Sequence, residues 1–261
     1  MPQSERNQGD LRVRSGTVST GLRRSIERTG TMLGGLGAFL VVGALVAGLA
    51  TWGFGEFAET VMAGQTQAFD DSVLRWVAAH HTATLDSVML EITSLGTGSA
   101  VLMIVGVASL FLALTRHRYS AALLLAATAG GGLLNIVLKH FFDRPRPHVF
   151  EWGTHALSSS FPSGHAMSAT IVYTTVAYLA ARLQRRMWER ALTMILAALI
   201  ILSISASRVY LGVHYPSDVV AGMIIGIGWS AFCMATLEAI QRLAQRTGKE
   251  VLQDEAPALT I

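Results

Sequence analysis

The chain has 261 residues, of which 51% are hydrophobic and only 14% charged, with a formal net charge of +3 at pH 7. Soluble domains carry roughly 25% charged residues, so this balance excludes an ordinary water-soluble domain. Cys233 is the sole cysteine, which excludes an intramolecular disulfide.

Residues 1–31 form a polar, Arg-rich tail. It is too polar, and the apolar run after it too long, for a cleaved signal peptide. No Asp, Glu, Lys or Arg occurs within 29–55, 92–115, 119–138, 152–181, 191–207 or 219–237. A helix needs about 20 apolar residues to cross a bilayer. These runs predict an all-α, integral membrane six-helix bundle, with spans near 32–53, 97–115, 119–139, 164–182, 190–207 and 217–238. The shortest run contains Ser203, Ser205 and Ser207, which suggests that this end opens into a wet cavity. Residues 32–238 form one domain, and 239–261 a second tail.

Between the first two spans, 55–91 carries Glu56, Glu59, Asp70, Asp71, Asp86 and Glu91 against the single Arg75. Val73, Leu74, Trp76 and Val77, then Leu85, Val88, Met89 and Ile92, recur at helical spacing. This predicts amphipathic surface helices on the outer side, lying on the membrane or packed as lids over the bundle. Two further outer loops follow, at 139–163 and about 208–216. Proline, serine and glycine mark the first as irregular backbone.

Charge divides the loops into two sets. Arg6, Arg12, Arg14, Arg23, Arg24, Arg28, Arg116, Arg118, Arg182, Arg185, Arg186, Arg190, Arg242, Arg246 and Lys249 fall on one side if the six spans alternate. That is fifteen of the 20 basic residues. The positive-inside rule makes that side cytoplasmic. It places both tails in the cytoplasm, in a cell inner membrane, and it removes the case for nucleic acid as a partner.

The five remaining cations are Arg75, Lys139, Arg144, Arg146 and Arg208. Charge beside a membrane span is expensive, so its default reading is functional. Lys139, Arg146 and Arg208 offer fixed positive charge where spans end on the outer side, and they suit a phosphate dianion. Arg144 reads as ordinary flanking charge. Ser163 and Gly164 open the fourth span, where free helix N–H groups bind anions; a plain helix cap would look the same. His214 and Asp218 are four apart. Asp218 can accept a hydrogen bond from one imidazole nitrogen and leave the other as a nucleophile. His165 is placed to protonate a leaving oxygen. The other six histidines read as interfacial or solvated, with His155 a lesser pocket candidate. No Cys/His cluster or acidic pair has metal-ligand spacing, so a reaction without metal or cofactor is expected.

Lys139-x6-Arg146-Pro147, Pro162-Ser163-Gly164-His165 and Ser207-Arg208-x5-His214-x3-Asp218 together resemble the three-part signature of the type-2 phosphatidic acid phosphatase superfamily. The resemblance implies a membrane lipid phosphatase. Lys139, Arg146, Arg208 and the N–H groups of Ser163 and Gly164 would hold the phosphate. His214, oriented by Asp218, would form a phosphohistidine. His165 would protonate the leaving group and then assist water. Family substrates include phosphatidate, phosphatidylglycerol phosphate and polyprenyl diphosphates, with undecaprenyl diphosphate the first expectation by analogy. The site would face away from the cytoplasm.

Two alternatives remain at this level. One is a vanadium-dependent haloperoxidase, since vanadate fits the same pocket. The other is a catalytically silent membrane homologue or transporter. Gly222-x-x-x-Gly226 and Gly130-Gly131-Gly132 allow close helix approach. Packing within the bundle is the first reading of both, and a homodimer face the second.

Overall fold

The computed structural model describes residues 40–148 and 158–246, with the side chains of 242–246 excepted. The Arg-rich segment 1–31, the beginning of the first expected span, the chain beyond 246 and His155 lie outside the described residues. Those described are mostly helical and contain no strand. The helices are α1 Leu40–Met62, then α2 Gln67–Ala78, α3 Ala83–Ser94, α4 Gly98–Leu114, α5 Arg118–Phe142, α6 Gly164–Leu183, α7 Met187–Tyr210 and α8 Pro216–Arg246.

α1, α5, α7 and α8 are long and apolar enough to cross a membrane, and α3 with α4 makes a fifth candidate as a pair bent by 45°. α4 alone has 17 residues. α6 has 20, but inward Thr170 and Thr175 and its other hydroxyl residues lower its hydropathy. The six expected spans therefore correspond to four clear candidates, the apolar arm of a bent pair, and a polar central helix.

Around an apolar core, large apolar side chains also cover the outside of the bundle. Leu102, Met103, Val107, Leu110 and Phe111 of α4 face outward, as do Leu133, Ile136 and Val137 of α5 and Ile195, Leu199 and Leu202 of α7. Ser109, Ser120, Thr175, Ser205 and Ser230 point inward. Exposed apolar surface on this scale marks a lipid-facing wall.

α6 forms the centre and packs against α4, α5, α7 and α8. Small residues set that closeness. A Cβ on Gly222 would stand 2.7 Å from Ser163 O, and one on Gly226 would stand 2.8 Å from Thr170 Cβ. A Cβ on Gly130 or Gly131 would collide with Trp229 or Ile171. Both glycine motifs thus serve contacts within the bundle.

α1 runs beyond the expected end of its span, through Glu56 and Glu59. Phe54, Ala58 and Val61 form a buried helical stripe that holds the extension, while the glutamates stay exposed. Gly64, at φ 74°, ends it. The rest of the segment 55–91 forms α2 and α3, which pack against the bundle. Both contact α7, and α2 also contacts α8. Val77 joins Tyr210, Leu211 and Val213 in a small core of their own.

Candidate active site

α5 and α7 end, and α6 and α8 begin, around one cavity of about 680 Å³. Lys139, Arg146, Gly164, His165, Arg208 and His214 all line it. Ser163 and Asp218 lie behind its wall, fully buried. Residues spread over eighty positions of sequence thus meet at one point because four helix ends do.

Each cation is anchored from the side. Lys139, in the last turn of α5, donates to Ser158 Oγ at 3.2 Å and to the Ser159 carbonyl. Ser159 Oγ returns a bond to Lys139 O at 2.8 Å. Arg146 donates from Nε to Ser158 O at 2.7 Å and from Nη1 to Val213 O at 2.6 Å. Burial pulls its guanidinium below its ordinary pKa, and Asp218 partly offsets this. Arg208 uses Nη1 on Thr93 Oγ1 at 2.9 Å, while its buried Nε has no hydrogen-bond partner among the described residues. An unpaired buried donor among fixed positive charges favours a bound anion.

His214 sits in the short turn between α7 and α8, where Gly212 takes φ 71°. It is 2% exposed. Its Nε2 lies 3.4 Å from Arg146 Nη1. Its Nδ1 lies 3.5 Å from Asp218 Oδ2, longer than an ordinary hydrogen bond. Burial lowers the His214 pKa to about 4, against Asp218, which raises it; Arg146 and Arg208 add to the lowering. At neutral pH the imidazole is therefore uncharged, with a free electron pair. His165, the second residue of α6, faces the same cavity.

Comparison with known proteins identifies the family. The family model for the PAP2 superfamily matches residues 120–242. Phosphatidylglycerophosphatase B of Bacillus subtilis (strain 168) is 32% identical, over 72% of this chain and 93% of that protein. The chain belongs to the PAP2 superfamily. An undecaprenyl-diphosphatase of Sulfolobus acidocaldarius is 29% identical over 67% of this chain and 81% of its own length. The crystal structure of a transmembrane PAP2-type phosphatidylglycerolphosphate phosphatase from Bacillus subtilis superposes with a TM-score of 0.70. It has 29% identity and covers 75% of this chain and 98% of that one. This PAP2 protein is accordingly a multi-pass membrane protein and a lipid phosphatase.

Within this PAP2 site the structure corrects one residue. Arg144, expected as flanking charge, is 7% exposed and ion-paired. Its Nη1 donates to Asp218 Oδ1 at 2.6 Å, and its Nη2 to Asp70 Oδ2 at 3.0 Å. Its guanidinium also lies 4.2 Å from the Tyr215 ring centroid. A buried cation needs partners, and α2 supplies one that no spacing rule connects to residue 144.

The start of α6 also differs in detail. Ser163 occupies the N-cap position, yet its hydroxyl makes no capping bond and is buried without a partner among the described residues. Its backbone N–H donates to Asp218 O at 3.0 Å. The first intrahelical acceptor is Ser163 O, bonded by Met167 N at 3.0 Å. The N–H groups of Gly164 and His165 therefore precede any intrahelical partner. A Cβ on Gly164 would meet Asn135 Oδ1 at 3.0 Å, so glycine keeps this end close to α5.

Asn135 and His140 line the PAP2 cavity as well. His140, read from sequence as interfacial, is exposed at its edge. Asn135 follows from α5 alone, one helical turn before Lys139 on the same face, a signal available once Lys139 was placed; His140, the next residue after Lys139, carried no such signal. Thr93 and Asp70 carried no comparable signal.

Proposed function

We propose that this chain hydrolyses a terminal phosphate from a membrane lipid, a phosphomonoester or diphosphate, without a metal ion and through a phosphohistidine on His214. The observation that carries the reading is the convergence of Lys139, Arg146, Arg208, His165 and His214 on one cavity. Three cations supply the charge neutralisation that Mg²⁺ often supplies in phosphoryl transfer.

In the first step His214 Nε2 attacks phosphorus, and the bond from phosphorus to the lipid oxygen breaks. His165, which holds a proton once the phosphate dianion lies beside it, gives that proton to the oxygen. The charge that develops on the His214 ring is balanced by Asp218, whose oxygen is 3.5 Å from Nδ1. In the second step water attacks phosphorus, His165 takes its proton, and the P–N bond breaks to release inorganic phosphate. The N–H groups of Gly164 and His165 and the three cations bind the equatorial oxygens. Ser163 contributes through Asp218, because its own N–H is bonded there.

The membrane arrangement that fits is six spans with both tails cytoplasmic, in a cell inner membrane, and the site on the opposite side. The support is the division of the basic residues, fifteen of 20 on the tail side. For substrate, the exposed apolar walls of α4 and α5 favour a lipid. Similarity to proteins named for phosphatidylglycerophosphate and for undecaprenyl diphosphate brings those two to the front, with phosphatidate third.

The test is phosphate release by purified protein in detergent with EDTA, on those three lipids and a soluble phosphomonoester, beside His214→Ala. Release from a lipid that is lost in the variant supports the reading. Appreciable release by His214→Ala removes the phosphohistidine.

A further inference from the structure

Asp218 is held from three directions. Arg144 Nη1 bonds Oδ1 at 2.6 Å. Oδ2 accepts from Tyr215 N at 2.9 Å and from Ser160 Oγ. Arg144 is the only charged group among these donors, and it does not line the cavity. Its other nitrogen is taken by α2, through Asp70 Oδ2 at 3.0 Å and Gln67 Oε1 at 3.2 Å.

Asp70 is itself 0% exposed. It accepts from Ser217 N at 3.0 Å, Ser217 Oγ at 2.5 Å and Thr66 Oγ1 at 3.1 Å. Ser217 Oγ also accepts from Arg144 Nη1 at 2.8 Å. The result is a closed, buried loop of one guanidinium, two carboxylates and a hydroxyl. It links α2, the turn after α5, and the first turn of α8. None of its charged members can move without leaving another buried charge unpaired.

One guanidinium serving two carboxylates has a consequence for chemistry. Asp218 must stay ionised and correctly aimed to stabilise a cationic His214 ring. Without Arg144, Asp70 and Asp218 would face each other as buried like charges, and one would take up a proton. We infer that Arg144 and Asp70 are positioning residues for the reaction, fixing Asp218 against His214 and coupling the docking of α2 to turnover. This rests on the phosphohistidine reading above. The matched family segment begins at residue 120, so Asp70 brings an element from outside it into the catalytic machinery.

The experiment compares Arg144→Lys, Arg144→Gln, Asp70→Asn and His214→Ala in the full chain, with kcat, KM and inhibition by inorganic phosphate as readouts. Because Arg144 and Asp70 lie off the cavity, kcat falls while KM and the phosphate inhibition constant hold. The loss for Arg144→Gln is on the order of 100-fold, the scale of a misplaced catalytic group. Arg144→Lys is milder, since one ammonium can still reach Asp218, and Asp70→Asn is milder again. Where Arg144→Gln does not fold, the other two carry the test, with phosphate inhibition reporting an intact cavity. Wild-type kcat in Arg144→Lys and Asp70→Asn overturns the inference. So does a fall in kcat matched by equal loss of phosphate inhibition, the mark of a merely structural role. Full activity in His214→Ala instead removes the phosphohistidine reading beneath it.

Discussion

Ser163 and Asp218 are joined through the backbone, the N–H of one donating to the carbonyl of the other at 3.0 Å. This bond ties the first turn of α6, which carries His165, to the first turn of α8, which follows His214. The two histidines of the site are therefore held in register by main chain. Side-chain changes far from the cavity should matter if they part these two helices.

Gly222→Leu is such a change. Even its Cβ would lie 2.7 Å from Ser163 O, 3.3 Å from Ala166 Cβ and 3.3 Å from Met167 N. They belong to α6 and its N-cap, and two are backbone atoms that cannot rotate away. Overpacking of this kind costs roughly 1–3 kcal/mol. Thermal unfolding in detergent should show that loss, and phosphate release should fall further than stability does, because α6 carries His165 away from His214. Unchanged turnover with lowered stability would show that the two helix ends tolerate separation.

His214 gives a pH signature. Its pKa is lowered to about 4 from 6.5 by burial. A group with a depressed pKa binds its proton more readily in the unfolded chain. Between pH 6.5 and 4 the unfolded state therefore takes up a proton that the folded state refuses, and stability falls as pH drops through that window. Above pH 6.5 this contribution is fully present. The midpoint of thermal unfolding should fall more steeply between pH 6.5 and 4 for the wild type than for His214→Gln. Equal slopes would mean that His214 titrates normally in the fold.

Arg208→Lys tests whether charge alone suffices. Arg208 spends one nitrogen on Thr93 at 2.9 Å and keeps a buried Nε unpaired. A lysine ammonium cannot hold Thr93 and fork two phosphate oxygens at once. Loss of such a donor from a transition-state site costs roughly 100-fold in kcat. Kinetics on the preferred lipid, with inorganic phosphate inhibition alongside, would check it; near-normal rates would show that a point charge is enough.

The parts of the site legible in the sequence are those whose partners are close in the chain or whose chemistry is costly in a membrane. Lys139, Arg146 and Arg208 stand out because charge at the end of an apolar run demands a reason. His214 and Asp218 stand out because four residues is one helical turn. Arg144 was misread because its partners, Asp70 and Asp218, are each 74 residues away. Nothing local separates an exposed flanking arginine from a buried one. The ends of α5 and α6 and the start of α8 fall within a few residues of the expected spans, since prolines, glycines and charges punctuate them, whereas α8 continues to Arg246, beyond the expected end near 238. The end of α1 does not, because Glu56 and Glu59 look like a membrane boundary, while the buried stripe beneath them continues to Val61.

Gly96 is the last such hidden position. It sits in the turn between α3 and α4, the bend of 45°. A Cβ there would lie 2.7 Å from Ile204 Cγ2 and 3.1 Å from His165 Cδ2. Ile204 is fully buried against α7's neighbours, so the imidazole is the partner free to give. Gly96→Ala should therefore push His165 off its line to the leaving oxygen. A general acid is worth about 10²–10⁴-fold, and a displaced one should lose part of that on a lipid alkoxide. An aryl phosphate with an acidic phenol leaves without needing a proton, so its kcat/KM should hardly change. Measuring kcat/KM for both substrates in Gly96→Ala decides the matter. A large loss on the lipid with little on the aryl ester assigns the defect to His165. Equal losses on both would place it in phosphate binding instead.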